Sequence, residues 1–230
     1  MKKYGKWALT VAAIAAIIGV FVMAVDRIKN TQDAYKRGTE CPYTIIVDPG
    51  HGGTDPGAVS ASGTRECDIN MKIALYLREY LMGSGADVIL TRGSELYAPD
   101  IEESITNDER KAKLAQECDV VVSIHLNKFS DSSVHGAECY YMTGSEEGKV
   151  LAECVQTSMK QELDSSNTRT IKAVDNLFAL KANEAPSILV ECGYLSNPTE
   201  EAKLKTITYQ RQCAFAIYCG ILKYLNQDAL

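Results

Sequence analysis

Short apolar runs alternate with longer amphipathic stretches from residue 43 to residue 225, and this alternation leaves few architectures open to the chain. Residues 43–47 form a β-branched run that stops at Asp48-Pro49-Gly50, the pattern of a buried strand entering a loop. Residues 66–82 then place apolar side chains at 69, 73, 76, 77, 80 and 81, one stripe of a helix, and Gly83-Ser84-Gly85 stops it. Further strands are expected at 87–91, 119–124, 137–142, 177–180 and 187–190, and further helices at 101–117, 144–163 and 208–225. Strands alternating with helices of this length predict an α/β fold. The expectation is a single three-layer domain with a mostly parallel central sheet of about six strands, flanked by helices.

In open sheets of this kind ligands bind outside the carboxyl ends of the strands. His51 lies just past the first strand, His125 at the end of the Val120-Val121-Val122 strand, and Glu191 at the end of the 187–190 strand. Glu66 opens the first helix after a glycine-bearing loop, where it can fold over the same sheet edge. Two imidazoles and a carboxylate are a ligand set that suits a catalytic zinc with one position left open, and a further carboxylate can move the proton of water. His51, Glu66 and His125 are therefore the candidate metal ligands and Glu191 the candidate catalytic group. Spacing alone keeps a structural reading open, because there is no compact H-E-x-x-H signature. On that reading His51 is a loop residue, His125 a core histidine and Glu66 a first-turn acid favoured by the helix dipole.

Other residues are candidates around this set. Asp48 could orient His51 from behind, as ligating histidines usually require. Arg92 and Arg110 could anchor an anionic substrate, although solvated or structural ion-pair roles are commoner for such residues; Asn127 could brace the loop after His125, and His135 is a competing ligand or a lining of the substrate groove.

The first 25 residues read differently. Lys2, Lys3 and Lys6 precede an uncharged apolar run from Trp7 to Val25, whose 19 residues span roughly 28 Å as a helix, about one hydrocarbon core. We read 1–25 as a transmembrane signal-anchor with its N-terminus inside, 26–41 as a polar linker and 42–227 as the catalytic domain. The domain would then lie outside the cytoplasm, anchored by that helix. A cleaved signal peptide, giving a secreted protein, is the rival, although Val22-Met23-Ala24 fits a cleavage site poorly. Three of the 24 basic residues and none of the 30 acidic ones fall in this segment, so the remainder carries nine excess negative charges. That excludes a nucleic-acid footprint, which needs clustered Lys and Arg. The eight cysteines contain no C-x-x-C pair and several sit in apolar runs, so they read as small hydrophobes and not as a disulfide framework.

Several of these stretches together resemble the zinc-dependent N-acetylmuramoyl-L-alanine amidases of the bacterial cell wall. The carriers are Ile46-Val47-Asp48-Pro49-Gly50-His51-Gly52-Gly53, Glu66, Leu90-Thr91-Arg92, Ser123-Ile124-His125-Leu126-Asn127 and Val190-Glu191-Cys192-Gly193-Tyr194-Leu195-Ser196-Asn197, over residues 44–225. The resemblance implies one zinc ion per chain on His51, Glu66 and His125, with Glu191 as the catalytic glutamate. It implies hydrolysis of the bond between the lactyl group of N-acetylmuramic acid and L-alanine in peptidoglycan. The chain lacks repeated wall-binding modules, and residues 163–178 are too few for the plug helix of many relatives. An anchored single catalytic domain is similar to germination-specific amidases, which prepare the muramic-lactam of the spore cortex, and some of those look to an activating lipoprotein partner. Three alternatives stay open at this point: a general wall-remodelling amidase, a zinc peptidase acting on another wall amide, and a non-catalytic wall-binding protein. Manganese or iron could also occupy such a site.

Overall fold

The computed structural model describes residues 43–93 and 107–227. The expected anchor and linker, 1–25 and 26–41, lie outside the described residues. Among the described residues no helix is long and apolar enough to cross a membrane.

Six strands form one sheet: β1 (Thr44–Pro49), β2 (Asp87–Leu90), β3 (Val120–Asn127), β4 (Glu138–Met142), β5 (Lys172–Val174) and β6 (Ser187–Tyr194). Their order is β2-β1-β3-β6-β4-β5. Every neighbouring pair is parallel except β4 with β6, so the mostly parallel α/β sheet of the sequence reading is present. Among the described residues six helices accompany it: α1 (Glu66–Gly83), α2 (Asn107–Leu114), α3 (Glu146–Glu162), α4 (Phe178–Lys181), α5 (Pro198–Leu204) and α6 (Ile207–Leu225).

The period of two along each strand sorts the core onto two faces. Ile46 and Val121 are cross-strand partners and pack with Leu114 of α2 and Ala179 of α4. The intervening positions, Ile45, Val47, Val120, Val122 and Ile124, are fully buried on the other face. The long helices supply a matching stripe, with Ile73 and Leu77 of α1, Leu151 and Val155 of α3, and Ile217 and Ile221 of α6 all buried, and α6 packs against both α1 and α3.

Three local expectations need correction. Residues 177–180 form the helical turn of α4, not a strand. The sixth strand is β5, which escapes a hydrophobicity search because Lys172 and Ala173 are exposed on a sheet edge. Helix α5 was not expected; Asn197 caps it, accepting hydrogen bonds from the Thr199 and Glu200 amides with Pro198 in the first turn. The expected helix at 101–117 is described only from Asn107. The seven cysteines of the described residues are free thiols, four of them buried.

Asp48 does not orient His51, and Arg110 takes the structural ion-pair role that is the commoner one for such a residue. The Asp48 carboxylate is fully buried and accepts from Arg110 Nε and Nη2 at 2.7 and 2.6 Å, Thr91 Oγ1 at 2.6 Å and Ser123 Oγ at 2.6 Å. Burial opposes its ionisation, but the Arg110 guanidinium and the two hydroxyls hold the carboxyl below its ordinary value. The pair therefore ties α2 to β1, and neither partner reaches for His51 or for substrate. Removing one partner of a buried pair leaves the other uncompensated. Arg110→Met should lower stability by about 3 kcal/mol, read as a drop in denaturant midpoint. With the pair intact, Asp48's stabilisation is present above the unfolded carboxyl value of 3.8 and is lost as pH falls below it.

Candidate metal centre

β3 brings His125 onto the same face as Ser123 and Val121, and His125 is the cross-strand partner of Glu191 on β6. Glu191 is in turn the partner of Glu138 on β4. His125, Glu191 and Glu138 thus form one row across three strands. Both β3 and β6 run past these residues, to Asn127 and Tyr194, so His125 and Glu191 lie inside strands and not at their ends. Immediately after the row the register slips, with one extra residue in β6 between Glu191 and Tyr194. Such bulges re-aim side chains beside functional sites.

His51 enters from the loop after β1. It has φ 61°, and no other non-glycine among the described residues has a positive φ. A left-handed residue with a bulky side chain costs about 1 kcal/mol and persists where its surroundings over-determine it. Here its Nδ1 lies 2.7 Å from Asp55 Oδ2 and its Nε2 3.4 Å from Glu66 Oε2. Asp55, four residues along, therefore takes the orienting role that the sequence reading gave to Asp48. Its signal was available in the spacing His51-Gly52-Gly53-Thr54-Asp55.

Glu66 stands between the imidazoles. Its Oε1 accepts from the Leu126 amide at 3.0 Å and Asn70 Nδ2 at 3.2 Å and lies 3.0 Å from His125 Nδ1; its Oε2 accepts from the Ala58 amide at 2.8 Å. Only 3% of Glu66 is exposed, and burial resists its charge, yet the two histidines and the Leu126 amide hold the carboxyl far below its usual range. The first-turn acid of the sequence reading is thus a fixed anion. The rings of His51 and His125 meet edge to face, 4.9 Å between centroids.

Two glycines make the crowding sterically feasible. A Cβ on Gly50 would sit 2.2 Å from the His125 ring, and one on Gly57 would sit 2.6 Å from both the Glu66 carboxylate and the His51 ring. Arg92 holds the two arms together from below. Its Nε donates to the Pro49 carbonyl at 2.9 Å, and its Nη2 donates to Gly50 at 3.1 Å and Cys67 at 2.8 Å. It is 7% exposed, so it clamps the His51 loop to the start of α1 and is spent as a substrate anchor. Asn127 braces as expected, donating to Glu138 Oε1 at 3.2 Å and accepting from the Lys128 amide at 2.8 Å. His135 is exposed, bonded through Nδ1 to the Ser133 carbonyl at 2.9 Å, and is not among the clustered ligands.

One ligand atom from each of His51, Glu66 and His125 lies within 4.8 Å of the others, a spacing able to hold a metal ion. The environment selects for positive charge there: Glu66, against the burial that opposes it, and then Asp55 raise the His51 imidazole's pKa to about 9. Two neutral-capable nitrogens and one carboxylate oxygen, with both rings partly open to solvent, fit zinc's preference for a three-residue catalytic set. Glu191 faces this centre with a different character. Burial first, then the charges of Glu66 and Glu138, push its carboxyl up to about 8. Its Oε2 is buried and has no hydrogen-bond partner among the described residues. A costly carboxylate of this kind, next to three candidate metal ligands, is what a proton-transfer group requires.

Glu138 was not anticipated. It is fully buried, accepts from the Tyr194 and Tyr140 hydroxyls at 2.7 and 3.1 Å, and pairs with Lys172 Nζ at 2.6 Å and Arg169 Nη1 at 3.7 Å. In the sequence it is one acid in an alternating run, and only the antiparallel return of β4 sets it beside Glu191.

The N-acetylmuramoyl-L-alanine amidase family matches residues 45–223. The germination-specific N-acetylmuramoyl-L-alanine amidase of Bacillus subtilis is 33% identical over 191 residues, covering 80% of each chain. N-acetylmuramoyl-L-alanine amidase AmiC of Neisseria meningitidis is 32% identical over 249 residues, 89% of this chain but 58% of that protein's length. The structure of the CwlD amidase from Clostridioides difficile, solved in complex with the GerS lipoprotein, superposes with a TM-score of 0.71 at 41% identity, covering 80% of this chain and 98% of that one. With its sheet, its His-Glu-His cluster and its buried glutamate set in the matched region, the chain belongs to the N-acetylmuramoyl-L-alanine amidase family.

Proposed function

We propose that this amidase of peptidoglycan cleaves the bond between the lactyl carbonyl and L-alanine with one zinc ion held by His51, Glu66 and His125, and that Glu191 carries the protons. The observation behind this is the row that sets Glu191 beside His125, with Glu66 and His51 converging on the same place. Zinc, when bound, supplies Lewis acidity toward a carbonyl oxygen and makes water a better nucleophile. Asp55 and Glu66 fix the His51 imidazole from its two sides, and Glu66 holds that of His125, so the ligands need little reorganisation. Glu191 Oε2, free of other partners among the described residues, takes the proton from the attacking water and returns it to the alanine nitrogen as the amide breaks. Digestion of peptidoglycan with zinc present should release new N-terminal L-alanine; any other new terminus would remove this bond assignment and favour a peptidase.

The setting belongs to the same proposal. The likeness to a germination-specific amidase supports a role in spore cortex maturation. The Trp7–Val25 run behind Lys2, Lys3 and Lys6 supports a membrane anchor with the domain outside the cytoplasm. A relative solved with a lipoprotein supports activation by such a partner. Cortex from spores lacking this gene should contain no muramic-lactam; normal lactam content would rule out the cortex role.

A further inference from the structure

The row of acids at the centre continues into two cations that the hydrolytic chemistry does not use. Glu138 Oε1 is shared by Tyr194, Tyr140 and Asn127, while Oε2 faces both Lys172 and Arg169. One buried carboxylate needs one cation to balance it, and here two converge. Neither cation is buried with it: the Lys172 side chain is 45% exposed and that of Arg169 27%. Both are also held in place. Lys172 Nζ lies over the Tyr140 ring at 5.4 Å, the Arg169 guanidinium over the Tyr194 ring at 5.0 Å, and Arg169 Nε donates to the His135 carbonyl at 3.1 Å. A cation pinned by an aromatic face and a buried anion forgoes the freedom that solvated surface lysines and arginines keep.

The sheet fixes the direction of this patch from the site. Lys172 is the cross-strand partner of Tyr140 on β4, two residues from Glu138, which is itself the partner of Glu191. At about 4.8 Å per strand, β5 lies about 10 Å from β6, and the Lys172 side chain reaches back over half of that to Glu138. A carboxylate on the residue after L-alanine lies about 6 Å from the scissile nitrogen in an extended peptide, so a peptide running from Glu191 toward β5 brings it within reach of the cations. We infer, resting on the amidase reading above, that Lys172 and Arg169 are specificity residues that bind a free carboxylate on the stem-peptide residue following the L-alanine. Glu138 is the buried anion that positions them.

The test uses two muramoyl peptides that differ only in whether that residue carries a carboxylate or a carboxamide, with zinc-loaded enzyme. The carboxylate peptide should show a kcat/KM about tenfold higher, mostly through KM, as expected for one charge-assisted contact. Lys172→Met should lower the ratio of the two peptides severalfold, the remainder resting on Arg169, and Lys172→Arg should keep most of it. A ratio near one in the unaltered enzyme, or an undiminished ratio in Lys172→Met, overturns the inference. Cleavage of the carboxamide peptide reports the amidase reading separately, since its turnover does not depend on the preference.

Discussion

Glu191→Gln should retain one metal ion per chain and the wild-type melting behaviour while kcat falls by about a thousandfold, within the usual contribution of a positioned proton-transfer group. The substitution is nearly isosteric and removes a charge that is expensive where it sits. Burial and the neighbouring Glu66 and Glu138 already favour the protonated form, so a neutral amide should be tolerated and even slightly stabilising. Metal analysis and a thermal melt therefore report an unchanged scaffold, and release of N-terminal L-alanine reports the lost step. Because Glu191 holds no bond to Glu66 or either imidazole among those described, metal loss in this variant would place it among the ligands. Retained turnover would end its role in proton transfer.

The contrast between Glu191 and Asp48 explains what the sequence could and could not reveal. Both are acids adjoining buried β-branched runs, and both invite a functional reading. Asp48 turns out to be satisfied by Arg110, Thr91 and Ser123, whereas Glu191 keeps a buried oxygen without a partner among the described residues. Strand position was legible from hydrophobic period, but satisfaction depends on residues 43, 62 and 75 positions away in the chain. The same holds for Arg92, whose three carbonyl acceptors come from two distant turns. The His-Glu-His set was legible in outline because residues toward the carboxyl ends of parallel strands share an edge, although His125 sits inside its strand and Glu66 comes from a helix start. Asp55 is legible in principle, four residues from His51, although Asp48 lies nearer in sequence. Glu138, Lys172 and Arg169 were not legible. Their meeting depends on β4 running antiparallel to β6 and on an edge strand of three residues with a polar pattern.

Loss of any of the three ligands should abolish both metal binding and turnover, and the graded variant is Asp55→Asn. His125→Ala removes one of three donors and leaves Glu66 facing a cavity, so metal content should fall to background at micromolar protein. Asp55→Asn keeps the His51 ring but weakens the anion behind it, and should cost metal affinity about tenfold to a hundredfold. The pH dependence follows from the same contact. In the metal-free protein Glu66 and Asp55 raise the His51 imidazole to about 9, so near neutral pH the ring carries a proton that an incoming metal must displace. Metal affinity should therefore strengthen by about tenfold per pH unit up to about 9 and level off above it. The stability of the metal-free protein runs the other way. His51's contribution is complete below its unfolded value of 6.5 and is lost as pH rises through about 9. Calorimetric zinc titrations in buffers of different ionisation enthalpy count the proton directly. Release of about one proton per metal at pH 7 in the unaltered protein, falling in Asp55→Asn, is the expected result. An affinity independent of pH between 6 and 9 would mean that His51 is not a ligand and that the strained loop after β1 serves another purpose.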